Sequence, residues 1–129
     1  MIPVIKESDC FNIKAIVNNL SPAEKTKEIS ILMKEIYRAT VLPDEQVADD
    51  IIQLNSTFEV KDVKTNQILN FTLTVPKLAN LAEKKLSIFT PLGAALIGFR
   101  QGMVIDWELP GGKKKLEILK VNSQSQLVQ

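Results

Sequence analysis

The sequence predicts an α+β protein in which a short N-terminal antiparallel helical hairpin precedes an antiparallel sheet wrapped around one short helix. Two observations lead to this fold class. Apolar residues recur at helical spacing before about residue 42 and alternate from about residue 54. The acidic segment PDEQVADD, residues 43–50, lies between the two patterns and has the composition of a linker. We therefore predict a helical unit over residues 1–45 and a second domain over residues 46–129.

The first predicted helix covers residues 8–20, and Ser8 or Asp9 is its candidate N-cap. Its apolar residues recur mainly at helical spacing: Phe11, Ile13, Ile16, Val17 and Leu20.

The second predicted helix begins at SPAE, where Ser21 and Glu24 have the spacing of a capping box and Pro22 suits the first turn. Pro43 prevents this helix from continuing beyond Leu42. Its apolar face comprises Ile29, Leu32, Met33, Ile36 and Ala39. Because only a few residues join the two helices, at positions 20–22, we expect them to pack antiparallel as a stubby hairpin.

Five strands are predicted in the second domain from alternation of apolar and polar residues. Their segments are LNSTFEVKDV (54–63), QILNFTLTV (67–75), KLSIF (85–89), VIDWEL (104–109) and KKKLEILKV (113–121). A polar turn at 64–67 makes the first two a hairpin, and Pro-Gly-Gly at 110–112 turns the chain between the last two. The segment 76–84 is expected to be a loop with a short helical turn, and residues 122–129 are expected to fray.

One short helix is predicted between the third and fourth strands. Thr90 is its candidate N-cap, Pro91 suits its first position, and Gly98 can adopt the left-handed conformation that ends a helix. Its apolar face comprises Leu92, Ala95, Leu96 and Phe99. The next strand then places three apolar residues on one face, namely Ile105, Trp107 and Leu109.

Composition excludes several classes of function. Sixteen Lys and Arg residues against 15 Asp and Glu residues give a net charge of +1, so no broad field attracts nucleic acid or an anionic membrane. The absence of histidine removes Ser-His-Asp and Cys-His catalysis and histidine-based zinc sites.

The single cysteine, Cys10, cannot form an intrachain disulfide and is expected to be a small buried residue. With no signal-peptide pattern and no apolar run of about 18 residues, a cytoplasmic location is expected.

The glycines do not form a phosphate-binding loop. Gly93, Gly98 and Gly102 lack the spacing of dinucleotide-binding and P-loop motifs. We interpret Gly93 as allowing close packing of the short helix, Gly98 as ending it, and Gly102 as helping to start the next strand.

Three further groups each have a functional and a structural interpretation. Lys113, Lys114 and Lys115 could contact phosphate, but a solvated run that protects a sheet edge is favoured. Trp107 could be a stacking platform, but its phase favours the core. The carboxylates Asp44, Glu45, Asp49 and Asp50 could hold Mg²⁺, but a solvated linker is favoured. At the hairpin tip Glu24 is used in the cap, which leaves Glu28 as the next acid. No catalytic, cofactor or metal constellation is predicted.

The segment LSIFTPLGAALIGFRQGMVIDWELPGG, residues 86–112, resembles the C-terminal domain of the GreA/GreB transcript-cleavage factors and of their relative Rnk, the regulator of nucleoside diphosphate kinase. WELPGG is particularly similar to Rnk, and LEILKV at 116–121 matches the last strand. The segment VADDIIQLNSTFEVKDVKTNQ, residues 47–67, resembles the linker and first hairpin of Rnk. The N-terminal helix resembles that of Rnk more loosely.

The resemblance implies an FKBP-like C-terminal domain and a partner, RNA polymerase. Proteins of this family dock that domain on the β′ coiled coil at the rim of the secondary channel. The Ser-Pro that enters their short helix belongs to the docking region. Carried over to this sequence, the docking residues are Thr90 and Pro91, with Leu92 beside them; threonine replaces serine and keeps the hydroxyl. No cofactor, membrane partner or sequence-specific contact with nucleic acid is implied.

Cleavage activity does not carry over. GreA and GreB insert a long coiled coil whose acidic tip holds a catalytic Mg²⁺, whereas the helices predicted here are short and the tip NLSPAEK lacks paired acids. The expected function is that of a non-enzymatic regulator that binds polymerase and competes with longer Gre-type factors. Two alternatives stay open: a Gre-like cleavage factor, and a peptidyl-prolyl isomerase suggested by fold analogy. Aromatic residues for a proline pocket would have to come from Phe58, Phe71, Phe89, Phe99 and Trp107.

Overall fold

The computed structural model describes residues 2–109 and 111–122, and of Glu108 and Leu109 only the backbone. The elements in chain order are β1 (Val4–Lys6), α1 (Glu7–Asn18), α2 (Lys27–Arg38), β2 (Thr40–Leu42), β3 (Thr57–Asp62), β4 (Ile68–Thr74), β5 (Lys85–Ser87), α3 (Pro91–Leu96), β6 (Val104–Leu109) and β7 (Gly112–Asn122). The predicted combination of helices with a five-stranded sheet is confirmed. None of the helices in these ranges has the length and apolarity needed to cross a bilayer.

The start of α1 differs from the prediction. The helix begins at Glu7 with Lys6 in the N-cap position, so Ser8 and Asp9 lie in its first turn and the predicted caps are wrong. Both side chains are used by distant segments instead. The Ser8 backbone N–H and hydroxyl donate to the Asp44 carboxylate at 3.1 Å and 2.5 Å, and the Asp9 carboxylate accepts from the backbone N–H of Leu54 at 2.9 Å.

Both ends of α2 also differ. The Ser21 N–H does donate to the Glu24 carboxylate at 2.8 Å, but this bond closes a 3₁₀ turn, Pro22–Glu24. The helix begins only at Lys27, with Thr26 as its cap. It ends at Arg38 because the following residues form β2, which pairs in parallel with β1 in a two-stranded sheet that the sequence did not predict. Antiparallel helix packing, the FKBP-like topology and the domain division after residue 45 stay predictions.

The larger sheet has the strand order β5-β4-β3-β7-β6. The predicted hairpins β3–β4 and β6–β7 are confirmed as antiparallel pairs. The expectation of a wholly antiparallel sheet is wrong, because β5 pairs in parallel with β4. The connection between these two strands, residues 75–84, contains two 3₁₀ turns rather than one short helical turn, and it returns the chain to the same end of the sheet. Of the segment predicted to fray, Asn122 is the last residue of β7, and residues 123–129 lie outside the described ranges.

One cluster of buried apolar side chains receives residues from both halves of the chain, including Ile5, Ile13, Leu32, Ile36, Phe58, Leu73, Leu96 and Ile118. Cys10 is buried in it, as predicted. The buried side chain of Gln53 joins the halves further, since its amide donates to the Val4 carbonyl at 2.6 Å and accepts from the Lys6 N–H at 2.9 Å. In addition, the Val4 N–H donates to the carbonyl of Gly98 at 2.9 Å. The N-terminal elements are therefore held against the segment that contains α3.

Candidate partner-binding site

The N-terminus of α3 is fixed by Thr90. Its hydroxyl donates to the Ser87 carbonyl at 2.6 Å and accepts from the Gly93 N–H at 3.1 Å, so the predicted N-cap is confirmed. Pro91 occupies the first helical position, where its missing N–H leaves no bond unmade. Because the hydroxyl already donates and accepts within the chain, its structural role is to shape the turn.

The three residues predicted to contact a partner lie together at this turn but differ in exposure. Pro91 is exposed and Thr90 is half-buried, whereas Leu92 is only 6% exposed and belongs to the core. The turn therefore presents the Pro91 ring and one side of Thr90 to solvent. Leu92 anchors the turn from below through its contacts with the core, and its contact with a partner stays a prediction.

Two glycines around α3 have the structural roles that the sequence suggested. A Cβ on Gly93 would collide with the carbonyl oxygen of Ser87. Gly98 follows the helix with φ of +87°, and a Cβ there would lie 2.5 Å from the Cβ of Pro3. Only glycine suits both positions, which lets α3 lie close to β5 and to the N-terminal segment.

A groove of about 460 Å³ opens between α2, α3 and β6. Its apolar lining includes Ile31, Pro91, Ala94, Ala95, Phe99, Ile105 and Trp107, and its polar lining consists of Glu28, Glu35, Arg38 and Asp106. Pro91 belongs both to this lining and to the turn at the N-terminus of α3. The groove therefore adjoins the predicted docking turn at Pro91.

The charges along the groove are unequally compensated. Arg38 donates to both carboxylate oxygens of Glu35 at 2.9 Å. Asp106 is paired with Lys115 at 2.9 Å, and this bond lowers the pKa of the Asp106 carboxyl. Glu28 is half-buried and has no ion-pair partner among the side chains that the structure describes. Among the described acidic residues that line the groove, Glu28 is therefore the one without an ion-pair partner.

Trp107 has both a core contact and a groove contact. It packs against the core cluster, as its strand phase predicted, yet it is only partly buried and lines the groove. Its indole N–H is buried, and within the described part of the chain it has no hydrogen-bond acceptor. Trp107 therefore contributes aromatic surface to the groove wall.

The other candidate residues are occupied elsewhere. Asp44 accepts two bonds from Ser8, which lower the pKa of its carboxyl, and Asp50 is paired with Arg100 at 3.3 Å. Over residues 2–109 and 111–122, no three Asp, Glu or Cys side chains converge where a metal ion could be held.

Two lysines of the run and two of the aromatic residues have structural contacts. Lys114 pairs with the buried carboxylate of Asp62 at 3.3 Å, and Lys115 pairs with Asp106. Phe58 is buried and packs on Phe71, with 6.3 Å between the ring centroids. Of the five aromatic residues considered for a proline pocket, the groove is lined by Phe99 and Trp107.

Comparison with known proteins decides the family. A family model described as the C-terminal domain of the GreA/GreB transcription elongation factors matches residues 47–123. The chain belongs to the GreA/GreB family. The regulator of nucleoside diphosphate kinase from Escherichia coli K12 is 34% identical over 94 residues, which are 72% of this chain and 69% of that relative. The transcription elongation factor GreA of Alkaliphilus oremlandii is 30% identical over 99 residues, covering 77% of this chain and 62% of the relative.

A solved structure supports the same assignment. The GreA/GreB transcription elongation factor from Nitrosomonas europaea superposes with a TM-score of 0.76 at 28% identity, covering 95% of this chain and 98% of that one. The recognised resemblance to GreA/GreB and to the regulator of nucleoside diphosphate kinase is thus confirmed.

The region of this GreA/GreB-family chain that matches the family model contains two of the three walls of the groove. Its α3 and β6 walls fall inside residues 47–123, and its α2 wall falls outside them. Sequence reasoning missed the α2 wall, which supplies Glu28, Ile31 and Glu35. One indication was present: Ile31 is an apolar residue outside the buried stripe of Ile29, Leu32 and Ile36.

Proposed function

We propose that this chain is a non-enzymatic transcription regulator that binds RNA polymerase at the rim of the secondary channel. Its contact is the β′ coiled coil, and its binding residues are Thr90 and Pro91, with Leu92 holding the turn from inside. The supporting observation is the intact capped turn at the N-terminus of α3, within the region that matches the GreA/GreB C-terminal domain. Occupying the rim would place this protein in competition with longer Gre-type factors.

The dimensions of the N-terminal unit support binding without transcript cleavage. Helices α1 and α2 have 12 residues each, so each is about 18 Å long at about 1.5 Å per residue. A Gre-type mechanism requires a coiled coil that spans the channel, and helices of this length are too short for that reach.

The connection between the helices lacks the acid pair that cleavage requires. Residues 19–26 contain a single acid, Glu24. Its carboxylate is engaged with the Ser21 backbone N–H and hydroxyl, and these bonds lower the pKa of Glu24. One engaged carboxylate is a poor site for Mg²⁺, which favours several oxygen ligands. A cleavage function would therefore need acids from another part of the chain.

A pull-down with core polymerase and with the isolated β′ rim coiled coil tests the binding site. Thr90→Asp and Pro91→Ala should weaken binding, while Leu81→Ala, an exposed position in the 3₁₀ turn before β5 and outside the groove lining, should not. Circular dichroism of each variant verifies folding. Failure of the folded wild type to bind removes the proposed function; unchanged binding by both Thr90 and Pro91 variants removes only the proposed contact residues.

Stalled elongation complexes test the absence of cleavage activity. Adding the wild-type protein with Mg²⁺ should leave the length of the transcript unchanged, and it should reduce cleavage by an added GreA-type factor in a concentration-dependent way. Stimulated cleavage by this chain alone would refute the non-enzymatic part of the proposal.

A further inference from the structure

We infer that the groove between α2, α3 and β6 binds a basic, apolar polypeptide segment of the polymerase beside the Pro91 turn. Glu28 would hold a lysine or arginine of that segment, and Ile31, Phe99 and Trp107 would receive an apolar side chain. The inference rests on the proposed function, because it takes RNA polymerase as the partner. It adds that the N-terminal unit forms half of the docking site.

The apolar part of the groove includes an exposed hydrophobic side chain, Ile31. Ile31 is 45% exposed although its helix neighbours Ile29 and Leu32 are buried. Covering the exposed part of Ile31 removes apolar surface from water and therefore favours binding. Ala95 and Phe99, from α3 and the residues just after it, add further apolar lining to the groove.

The charge pattern selects a cationic protein segment rather than nucleic acid. The carboxylates of Glu35 and Asp106 have cationic partners within the chain, and Glu28 has none among the described side chains. An incoming lysine or arginine would complete that third pair in a half-buried setting. Phosphates would instead meet three carboxylates along one groove, which is unfavourable.

Trp107 gives the β6 wall an aromatic surface. The side chain packs against the core cluster and also lines the groove, so it can receive an apolar side chain of the occupant. Trp107 lies on β6 and Glu28 on α2, and both line the groove, so one segment lying in it could contact both. Pro91 at the end of the groove joins this contact to the proposed docking turn.

A photocrosslinking experiment with the full chain and core polymerase tests this geometry. The variant Ile31→p-benzoylphenylalanine places a crosslinker in the groove, and Leu81→p-benzoylphenylalanine is its control, exposed by 63% in the 3₁₀ turn before β5 and outside the groove lining. Crosslinks to polymerase protein are expected from position 31 and not from position 81. A crosslink from position 31 to nucleic acid, or equal yields from the two positions, would overturn the inference.

Charge variants measured by equilibrium binding to core polymerase test the role of Glu28. Glu28→Lys should raise Kd by about tenfold or more, because it replaces an attraction by a repulsion at the rim of the contact. Glu83→Lys, in the exposed 3₁₀ turn before β5, makes the same change of charge and should leave Kd within about twofold. Equal effects of the two substitutions would mean that only the net charge matters, and this would overturn the inference.

The two proposals fail in distinguishable ways. If the wild type does not bind core polymerase, the proposed function falls and this inference with it. If the wild type binds, Pro91→Ala weakens binding, and both the Ile31 crosslink and the Glu28 effect are absent, the docking turn stands and the groove is excluded from the interface.

Discussion

Asp9 links α1 to the segment before β3, and replacing it should show how strongly the N-terminal unit depends on that link. The residue is 7% exposed, and its carboxylate accepts from the Leu54 N–H at 2.9 Å. Asp9→Ala leaves this buried donor unpaired and should lower the free energy of unfolding by about 1–3 kcal/mol. Asp9→Asn keeps an oxygen acceptor at the same place, so it should destabilise the protein less than Asp9→Ala.

The charge of Asp9 gives this prediction a pH dependence of known sign. Burial raises the pKa of Asp9 above 3.8, outweighing the Leu54 N–H and Lys6, which lower it. The folded protein therefore holds this proton more tightly than the unfolded chain does. The resulting stabilisation is present below the unfolded pKa and is lost as pH rises through the folded pKa. Asn does not titrate, so the stability of Asp9→Asn relative to wild type should increase as pH rises through this window.

Urea unfolding of wild type, Asp9→Asn and Asp9→Ala at several pH values from about 4 to about 7 measures both effects. Glu45→Gln, which removes an exposed carboxylate, is the matched control and should differ little from wild type at any pH. Asp9→Ala as stable as Asp9→Asn would refute the hydrogen-bond argument. If the free energy of unfolding of Asp9→Asn minus that of wild type stays constant or decreases as pH rises, the burial argument is refuted.

Three further substitutions test the docking turn and the sheet. Thr90→Val removes the cap of α3 at nearly constant volume and should cost about 0.5–2 kcal/mol in thermal unfolding; a cost near zero would contradict the capping role. Gly93→Ala should cost about 1–3 kcal/mol because its Cβ meets a backbone carbonyl, whereas Gly111→Ala, with open space around it, should cost less; the reverse order would contradict the packing. Burial acts to raise the pKa of Asp62, but backbone N–H donors and Lys114 lower it overall, so its contribution to stability is present above the unfolded pKa of 3.8 and lost as pH falls. The free energy of unfolding of wild type should therefore fall more steeply below about pH 4 than that of Asp62→Ala. Parallel pH dependences in acid-unfolding measurements would contradict this.

Local sequence chemistry was sufficient where an element is specified by its own residues. Thr90 and Pro91 start α3, and Gly98 adopts a positive φ just beyond its end, as their residue types required. The β3–β4 hairpin follows from two alternating segments around a polar turn. In each case the residue types that specify the element lie within the element or in the turn beside it.

The same local chemistry failed where the partner is distant. The Ser21–Glu24 bond formed as its spacing required, yet it closes a 3₁₀ turn, and α2 starts six residues after Ser21. Residues of β2 were predicted as helix because their pairing with β1 cannot be read from their own spacing. Asp9 was predicted as a helix cap, but its carboxylate accepts a hydrogen bond from the distant backbone N–H of Leu54 instead.

The candidate site divides in the same way. The turn at Thr90 and Pro91 can be predicted from the sequence, both as a helix start and through its resemblance to the GreA/GreB family. The groove is not, because Glu28 and Ile31 come from α2 and Trp107 comes from β6, and only the folded chain brings these walls together.

By itself the sequence determined the family, the mixed helix-and-sheet class, the absence of histidine chemistry and the capped turn of α3. The tertiary structure decided the parallel β4–β5 pair, the β1–β2 sheet and the placement of α2 beside α3. The physical reason is the range of the interactions. Capping, turn formation and periodicity depend on neighbours within a few residues, whereas strand pairing, buried polar bonds and a groove depend on which distant surfaces exclude water together.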